Sequence, residues 1–97
     1  MAEIVWTSNA LTDLSEIGEY IVTDSPKYAE LTVSKLYHKV KILSTHPSVG
    51  RIVPETDQKN LRELIEGNYR IIYEIINDNI FILTVHHSSR ILRLKNN

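Results

Sequence analysis

The sequence predicts an α+β domain: an N-terminal strand, an antiparallel helical hairpin and a three-stranded antiparallel meander, with the helices packed on one face of the sheet. Two observations predict this class. Apolar residues recur at helical spacing through residues 9–43, whereas residues 61–88 form apolar runs separated by turn residues, as strands do. With 97 residues the chain is long enough for one domain and too short for two, so residues 1–97 are expected to form a single domain.

The N-terminal half is predicted to hold one strand and two helices. Residues 3–7 (EIVWT) suit a strand, Ser8 is a candidate N-cap, and a first helix should span residues 9–22. Ser25-Pro26 predicts the start of a second helix, because a hydroxyl can cap it and a proline at its first position loses no hydrogen bond. The apolar stripes are Leu11, Leu14, Ile17 and Ile21 in the first helix, and Ala29, Val33, Leu36, Val40 and Leu43 in the second. The short connection between the helices makes them antiparallel.

Pro47 is predicted to end the second helix, and residues 46–60 read as a loop in which residues 51–53 could pair briefly as a strand. The meander follows. Its first strand begins at residue 61 and breaks at Glu66-Gly67-Asn68, its second covers residues 69–76, and its third runs from residue 80 to about residue 88. Gly and Asn at the breaks tolerate the positive φ that tight hairpins need.

Composition limits the classes of function. The formal net charge is −1, which argues against binding nucleic acid by bulk electrostatics. A local basic end is nevertheless present, because Arg90, Arg93 and Lys95 follow the last acidic residue, Asp78. Without cysteine the fold has neither disulfides nor a thiolate metal site, and with no segment resembling a signal peptide or a membrane span we expect a soluble cytoplasmic protein.

Four side chains in the meander are candidates for chemistry: Arg70 at the start of the middle strand, and His86, His87 and Arg90 at the end of the last. An odd-numbered loop through residues 77–79 would place His86 opposite Arg70 and gather Arg70, His86 and Arg90 on one face. A two-residue turn at residues 78–79 would place His87 there instead.

Simpler structural roles also fit several of the polar side chains. Arg70 could pair with Glu63 or Glu74 on the sheet, and the acids of the first helix, Asp13 among them, suit a solvated face. Neighbouring histidines on a strand point to opposite faces, which makes a two-histidine metal site improbable. No metal and no cofactor is therefore expected.

The chain resembles the RelE/ParE superfamily of bacterial type II toxin–antitoxin toxins. The resemblance covers nearly all of the sequence, in IVWT, SPKYAE, HPSVGRIVPE, LRELIEGNYRIIYEI and ILTVHHSSR. It implies a small growth-arresting toxin that forms a hetero-oligomer with its cognate antitoxin, bound over the open sheet face or along the helices.

The superfamily contains two mechanisms. ParE-like members bind DNA gyrase, and RelE-like members cleave mRNA on the ribosome. In the nuclease case the resemblance implies that Arg70 and Arg90 hold the phosphate and that His86 or His87 acts as base or acid. RelE-like nucleases carry lysines on the strand before the middle one and often a C-terminal aromatic residue, whereas this chain has LREL and LKNN. We therefore prefer the hypothesis of a ParE-like toxin that binds gyrase. A ribosome-dependent nuclease is the second hypothesis, and an inactive relative that only binds antitoxin is the third.

Overall fold

The helices and strands of the described residues follow the predicted order, and the first strand lies beside the last described one in a mixed sheet. The computed structural model describes residues 1–88. In chain order the elements are β1 (Ile4–Trp6), α1 (Ser8–Val22), α2 (Pro26–Lys39), a 3₁₀ helix (Val40–Ser44), β2 (Arg51–Ile52), β3 (Leu61–Glu66), β4 (Tyr69–Ile76) and β5 (Asn79–His87). The predicted class, two helices packed against a sheet in an α+β domain, is confirmed.

Both helices begin at hydroxyl caps, but the first cap is one residue earlier than predicted. The Thr7 side chain accepts a hydrogen bond from the Ala10 amide, and helix α1 already includes Ser8, so the prediction of Ser8 as N-cap was wrong. Thr7 also donates its hydroxyl hydrogen to the Ile82 carbonyl at 2.7 Å, which links the start of α1 to β5. At α2 the Ser25 side chain accepts from the Tyr28 amide and Pro26 occupies the first position, as predicted.

Helix α2 ends at Lys39, earlier than the position of Pro47 suggested, and the chain continues as the 3₁₀ helix. Val40 and Leu43 of this segment are nonetheless fully buried, so the apolar stripe reaches the core through a tighter turn.

The five strands lie in the order β1-β5-β4-β3-β2. Strand β1 pairs parallel with β5, with Ile4 opposite Ile80, and every other neighbouring pair is antiparallel. Strand β2 is limited to two residues, paired with Arg62 and Glu63 of β3.

The β4–β5 hairpin differs from both turns considered above. Ile76 pairs with Asn79, so the turn consists of Asn77 and Asp78, which adopt φ values of 50° and 65°. Positive φ at both central residues is the conformation that favours Asn and Asp in two-residue hairpins. A β-bulge then leaves Leu83 unpaired between Ile82 and Thr84, and this shift puts His86 opposite Arg70.

The bulge also corrects the predicted faces of β5. Strict alternation along the strand would place His86 on the same side as Ile80 and Ile82, but beyond the bulge it is Val85 that joins them in the core beneath the helices. A second, smaller core lies on the opposite side of the sheet, where Val53 from the loop packs with Leu61 and Ile72. The loop after β2 therefore covers part of the face that the helices leave open.

Candidate functional site

Arg70 is buried on the sheet face opposite the helices, between two carboxylates. Glu63 on β3 accepts a hydrogen bond from Nε at 2.7 Å, and the same carboxylate oxygen lies 2.6 Å from Nη2 in an ion pair. Glu55, from the loop after β2, accepts from Nη1 and Nη2 at 2.8 Å each. All three guanidinium nitrogens thus donate to carboxylate oxygens.

Glu63 connects this pair to a second arginine. Its side chain has no exposed surface, and its other oxygen accepts a short hydrogen bond from Nε of Arg51. We call these four residues the Arg70 cluster: Arg51, Glu55, Glu63 and Arg70. With two cations and two anions the cluster is neutral as a whole, which is the condition under which buried charges are tolerated.

The electrostatics of Arg70 follow from these contacts. The hydrogen bond with Glu55 raises the pKa of Arg70 above its ordinary value, against the opposing effect of burial, and Glu63 raises it further. Arg70 therefore stays protonated, and its charge is directed at residues of its own chain. The pairing of Arg70 with Glu63, one of the two partners offered by the sequence, is present, whereas the other, Glu74, accepts a hydrogen bond from Asn60.

The two histidines separate as the strand pleat requires. His86 is buried, with Nδ1 3.2 Å from the carbonyl oxygen of His87, a contact that requires the hydrogen on Nδ1 because a carbonyl only accepts. His87 is exposed, and its ring meets the Tyr69 ring edge to face with the centroids 5.9 Å apart.

The structure brings together two of the four predicted site residues. Arg70 and His86 are directly opposite each other on β4 and β5, whereas His87 pairs with Tyr69. Arg90, the fourth candidate, lies outside the described residues. Glu55 and Arg51 were missed as members of the cluster, because nothing in a loop sequence without a regular period marks which side chain returns to the sheet.

The prediction that Asp13 lies on a solvated helix face was wrong. Instead of lying on a solvated helix face, its carboxylate accepts a hydrogen bond from the Val85 amide at 3.0 Å and one from the Thr84 hydroxyl. These bonds satisfy backbone and side-chain donors just beyond the bulge and fix α1 to β5. Asp13 is therefore a structural residue at the junction of the two elements.

On the helical side of the molecule, an open groove of about 650 Å³ lies between α1 and α2. We call it the interhelical groove; its apolar lining includes Leu14, Val22, Ala29, Val33 and Tyr37. Val22 and Tyr37 are each 44% exposed, and Glu19 and Glu30 line the groove as well. The groove therefore gathers partly exposed apolar side chains of both helices in one place.

Other classes of site find no support in the part of the chain described. Residues 1–88 contain no cluster of three or more His, Asp or Glu side chains that could hold a metal ion. Over the same residues, none of the helices combines the length and the apolar character required to span a bilayer.

A small sheet with a helical hairpin on one face matches the fold expected from the resemblance to the RelE/ParE superfamily. The family model described as "ParE toxin of type II toxin-antitoxin system, parDE" matches residues 4–92. The chain belongs to the ParE toxin family of type II toxin–antitoxin systems.

Two curated proteins are similar over most of the chain. Toxin RelE2 of Caulobacter vibrioides is 34% identical over 92 residues, which cover 94% of this chain and all of the relative. Putative toxin Y4kP of Sinorhizobium fredii is 39% identical over 87 residues, covering 88% of this chain and 86% of the relative.

Solved structures agree in fold. A chain of the chromosomal ParDE toxin–antitoxin system from P. aeruginosa has a TM-score of 0.75 and 26% identity, with 90% of this chain and 96% of that chain covered. A chain of the toxin–antitoxin complex RelBE2 from Mycobacterium tuberculosis has a TM-score of 0.57 and 19% identity, with 89% and 96% covered, and shares the fold.

Proposed function

We propose that this chain acts by binding DNA gyrase, as a toxin without chemistry of its own. The observation that carries the proposal is the engagement of Arg70 with Glu55 and Glu63. A ribonuclease of this class needs cations that face the scissile phosphate, since they must stabilise its developing charge. In this chain the central arginine is neutralised internally, and the net charge of −1 gives little attraction to ribosomal RNA.

The test is a pair of assays on the purified chain. We expect inhibition of supercoiling by gyrase at micromolar or lower concentration and no cleavage of mRNA on translating ribosomes. The variant His86→Ala/His87→Ala, once shown to be folded, should inhibit gyrase as the parent does, because the gyrase proposal gives these side chains no role in the inhibition. Lys39→Ala, which removes a surface pair with Glu66 (3.8 Å), is a matched control for unspecific effects.

The ribosome-dependent nuclease is the second candidate, supported by the position of His86 opposite Arg70 and by the similarity to Toxin RelE2. Cleaved messages in the ribosome assay, lost in His86→Ala and retained in Lys39→Ala, would establish it and contradict the gyrase proposal. Absence of both activities from folded protein would contradict both and favour a relative that only binds antitoxin.

We further propose that the cognate antitoxin places an amphipathic helix in the interhelical groove. The groove is the right kind of site because its walls are apolar while Glu19 and Glu30 bring negative charge. A helix with an apolar stripe flanked by Lys or Arg would complement both features. The sheet face opposite is less suitable, since the loop carrying Val53 and Glu55 covers part of it.

A matched pair of substitutions tests this placement. Val22 in the groove and Ile65 on the sheet are 44% and 43% exposed, so a lysine at either position should cost little folding energy. We expect Val22→Lys to weaken capture of the antitoxin encoded beside the toxin gene by tenfold or more, and Ile65→Lys to leave it unchanged. The reverse pattern in a titration would place the antitoxin on the sheet.

A further inference from the structure

Polar side chains at the start of α1 hold the β-bulge in β5. The Thr7 hydroxyl donates to the Ile82 carbonyl at 2.7 Å. Nδ2 of Asn9 donates to the Leu83 carbonyl at 3.0 Å. Strand β1 ends at Trp6, so these side chains take over along the edge of β5 where its strand partner stops. Backbone groups at a bulge need such partners, because the ladder is locally disrupted there.

Asp13 holds the two residues that follow the bulge. Its Oδ2 accepts from the Val85 amide at 3.0 Å and from the Thr84 hydroxyl. Because the Val85 amide is used in this way, Val85 and its partner Ile71 form a non-hydrogen-bonded pair of the antiparallel ladder. The carboxylate thus acts on the register in which β5 continues beyond the bulge. We call three side chains the bulge clamp: Thr7, Asn9 and Asp13.

The bulge decides which side chain lies opposite Arg70. In the observed register this is His86. With the same turn and no bulge, the pairing of Tyr73 with Ile82 would continue one residue at a time and bring Val85 opposite Arg70. His86 would then move to the sheet face beneath the helices. The bulge therefore places an imidazole, and not an isopropyl group, on the face that carries the guanidinium.

Two interactions favour the observed register. One is burial, since Val85 is 2% exposed and packs in the core with Ile80 and Ile82, where His86 would otherwise lie. The other is the carboxylate of Asp13, since hydrogen bonds to a charged acceptor are stronger than those between neutral groups. The first belongs to β5 itself, and the second is supplied by a helix.

We propose that the bulge clamp, with Asp13 as its main member, selects the register of β5 that puts His86 opposite Arg70. Asp13 is then a positioning residue for the face of the sheet that α1 does not touch. The proposal goes beyond the choice of target, because it concerns which group accompanies Arg70 whatever the chain binds or cleaves. In a merely structural role Asp13 would only fasten α1 to β5, and its loss would lower stability without altering the pairing.

Nuclear Overhauser effects between α-protons report the register, because these protons come close across non-hydrogen-bonded pairs. The observed register predicts an effect between Ile71 and Val85, and the register without the bulge predicts one between Ile71 and Thr84 instead. Asp13→Ala deletes two hydrogen bonds to a charged acceptor. We expect it to shift the ratio of the two registers toward the second by about tenfold or more, so that the effect between Ile71 and Thr84 appears.

Three variants make the result specific. Asp13→Asn loses the charge but keeps an oxygen that accepts from Val85 and Thr84, so it should retain the parent pattern. Glu16→Ala removes an exposed acid from the same helix and should retain it too. Val85→Thr nearly preserves the shape of the side chain and weakens its preference for the core while the clamp stays in place. It should therefore shift the register less than Asp13→Ala does.

Appearance of the second register in Asp13→Ala, with the three variants behaving as expected, supports the proposal. If folded Asp13→Ala keeps the parent pattern and is only less stable, or if Asp13→Asn or Glu16→Ala shifts as far, the proposal is overturned. An equal or larger shift in Val85→Thr overturns it as well, because burial would then set the register. Should Asp13→Ala not fold, Asn9→Ala, which deletes the bond to Leu83, takes its place and is interpreted in the same way.

Discussion

Burial determines what Arg70 can do. A strand arginine on an exposed sheet face would be available to a phosphate, but Arg70 is 5% exposed and its guanidinium nitrogens donate to Glu55 and Glu63. Glu63 in turn has 1% of its surface exposed and depends on Arg70 and Arg51 for its charge balance. Substituting Arg70 or Glu63 is therefore expected to change the stability of the fold as well as any activity.

Arg70→Ala should therefore be strongly destabilising. It removes the main partner of a buried carboxylate, and breaking a buried pair in this way costs about 3–5 kcal/mol. Urea unfolding measures the loss, with Lys39→Ala as the control, for which at most about 1 kcal/mol is expected because its pair with Glu66 is a surface pair. Equal losses in the two variants would show that Glu63 is not held by Arg70. Lost toxicity in Arg70→Ala is consequently no evidence for catalysis.

Tyr73 makes the free energy of unfolding depend on pH in the alkaline range. Its ring is fully buried, and its hydroxyl donates to the Pro47 carbonyl at 2.7 Å and accepts from the Gly50 amide at 3.0 Å. Burial raises the pKa of Tyr73 above 10.0, although the bond from Gly50 and the charge of Arg62 oppose the shift. Because the folded-state pKa exceeds the unfolded one, this stabilisation is complete below pH 10 and is lost as pH rises through the folded pKa.

We expect the free energy of unfolding to fall above pH 10 with a slope from Tyr73 of at most about 1.4 kcal/mol per pH unit. Tyr73→Phe should lose this contribution to the slope and should also be less stable at neutral pH by about 1–3 kcal/mol, since a buried amide and carbonyl lose their partner. Tyr20→Phe, at a side chain 80% exposed, should keep the parent slope. Denaturant titrations between pH 8 and pH 11 compare the three; parallel curves would contradict the assignment.

Among the helices and strands, those set by local spacing and capping residues were predictable from the sequence, whereas the effect of the one extra residue in β5 was not. Helical spacing and the Ser25-Pro26 signal placed both helices, and apolar runs placed the three long strands. The bulge at Leu83 was not predictable, because a period of two cannot show where one residue will be left unpaired. Because of this one residue, Val85 lies on the sheet face that the helices cover and His86 lies on the opposite face, the reverse of strict alternation. Arg70 and His86 face each other for that reason and not because of either predicted turn.

The β4–β5 turn offers a direct test of its backbone conformation. Asp78 has a φ of 65°, in the left-handed region where every side chain except glycine is strained to some degree. Asp78→Gly should therefore stabilise the chain by about 0.5–1 kcal/mol, and Asp78→Val should destabilise it. Asp24 is an exposed turn residue outside the set with positive φ, so Asp24→Gly should bring no gain. Denaturation midpoints would contradict the turn geometry if both glycine variants behaved alike.

On the scale of the whole molecule, the N-terminal strand pairs with a strand from the other end of the described chain. Strand β1 lies at one edge of the sheet against β5, the last described strand, and this parallel pairing joins residues about as far apart as the described chain allows. Trp6 of β1 then stacks on Tyr37 of α2, with the ring centroids 5.3 Å apart. No local pattern predicts such a pairing, since a short apolar run fits either edge of a sheet. The result is that the helices, the N-terminal strand and one face of the sheet share the larger of the two cores.

A single proline tests whether this closure makes the fold one cooperative unit. Val5 lies opposite Phe81 in the parallel pair, and Val5→Pro takes a donor out of β1 and fixes its backbone, so it should destabilise the fold. If the core is shared, the fluorescence of Trp6, the sole tryptophan, and the far-ultraviolet circular dichroism should be lost together, at one lowered denaturant midpoint. Val5→Ala, which keeps the amide, should lower that midpoint far less. Loss of the Trp6 signal at a concentration of denaturant that leaves the circular dichroism unchanged would mean that β1 unfolds alone, and that the remaining strands and helices hold together without it.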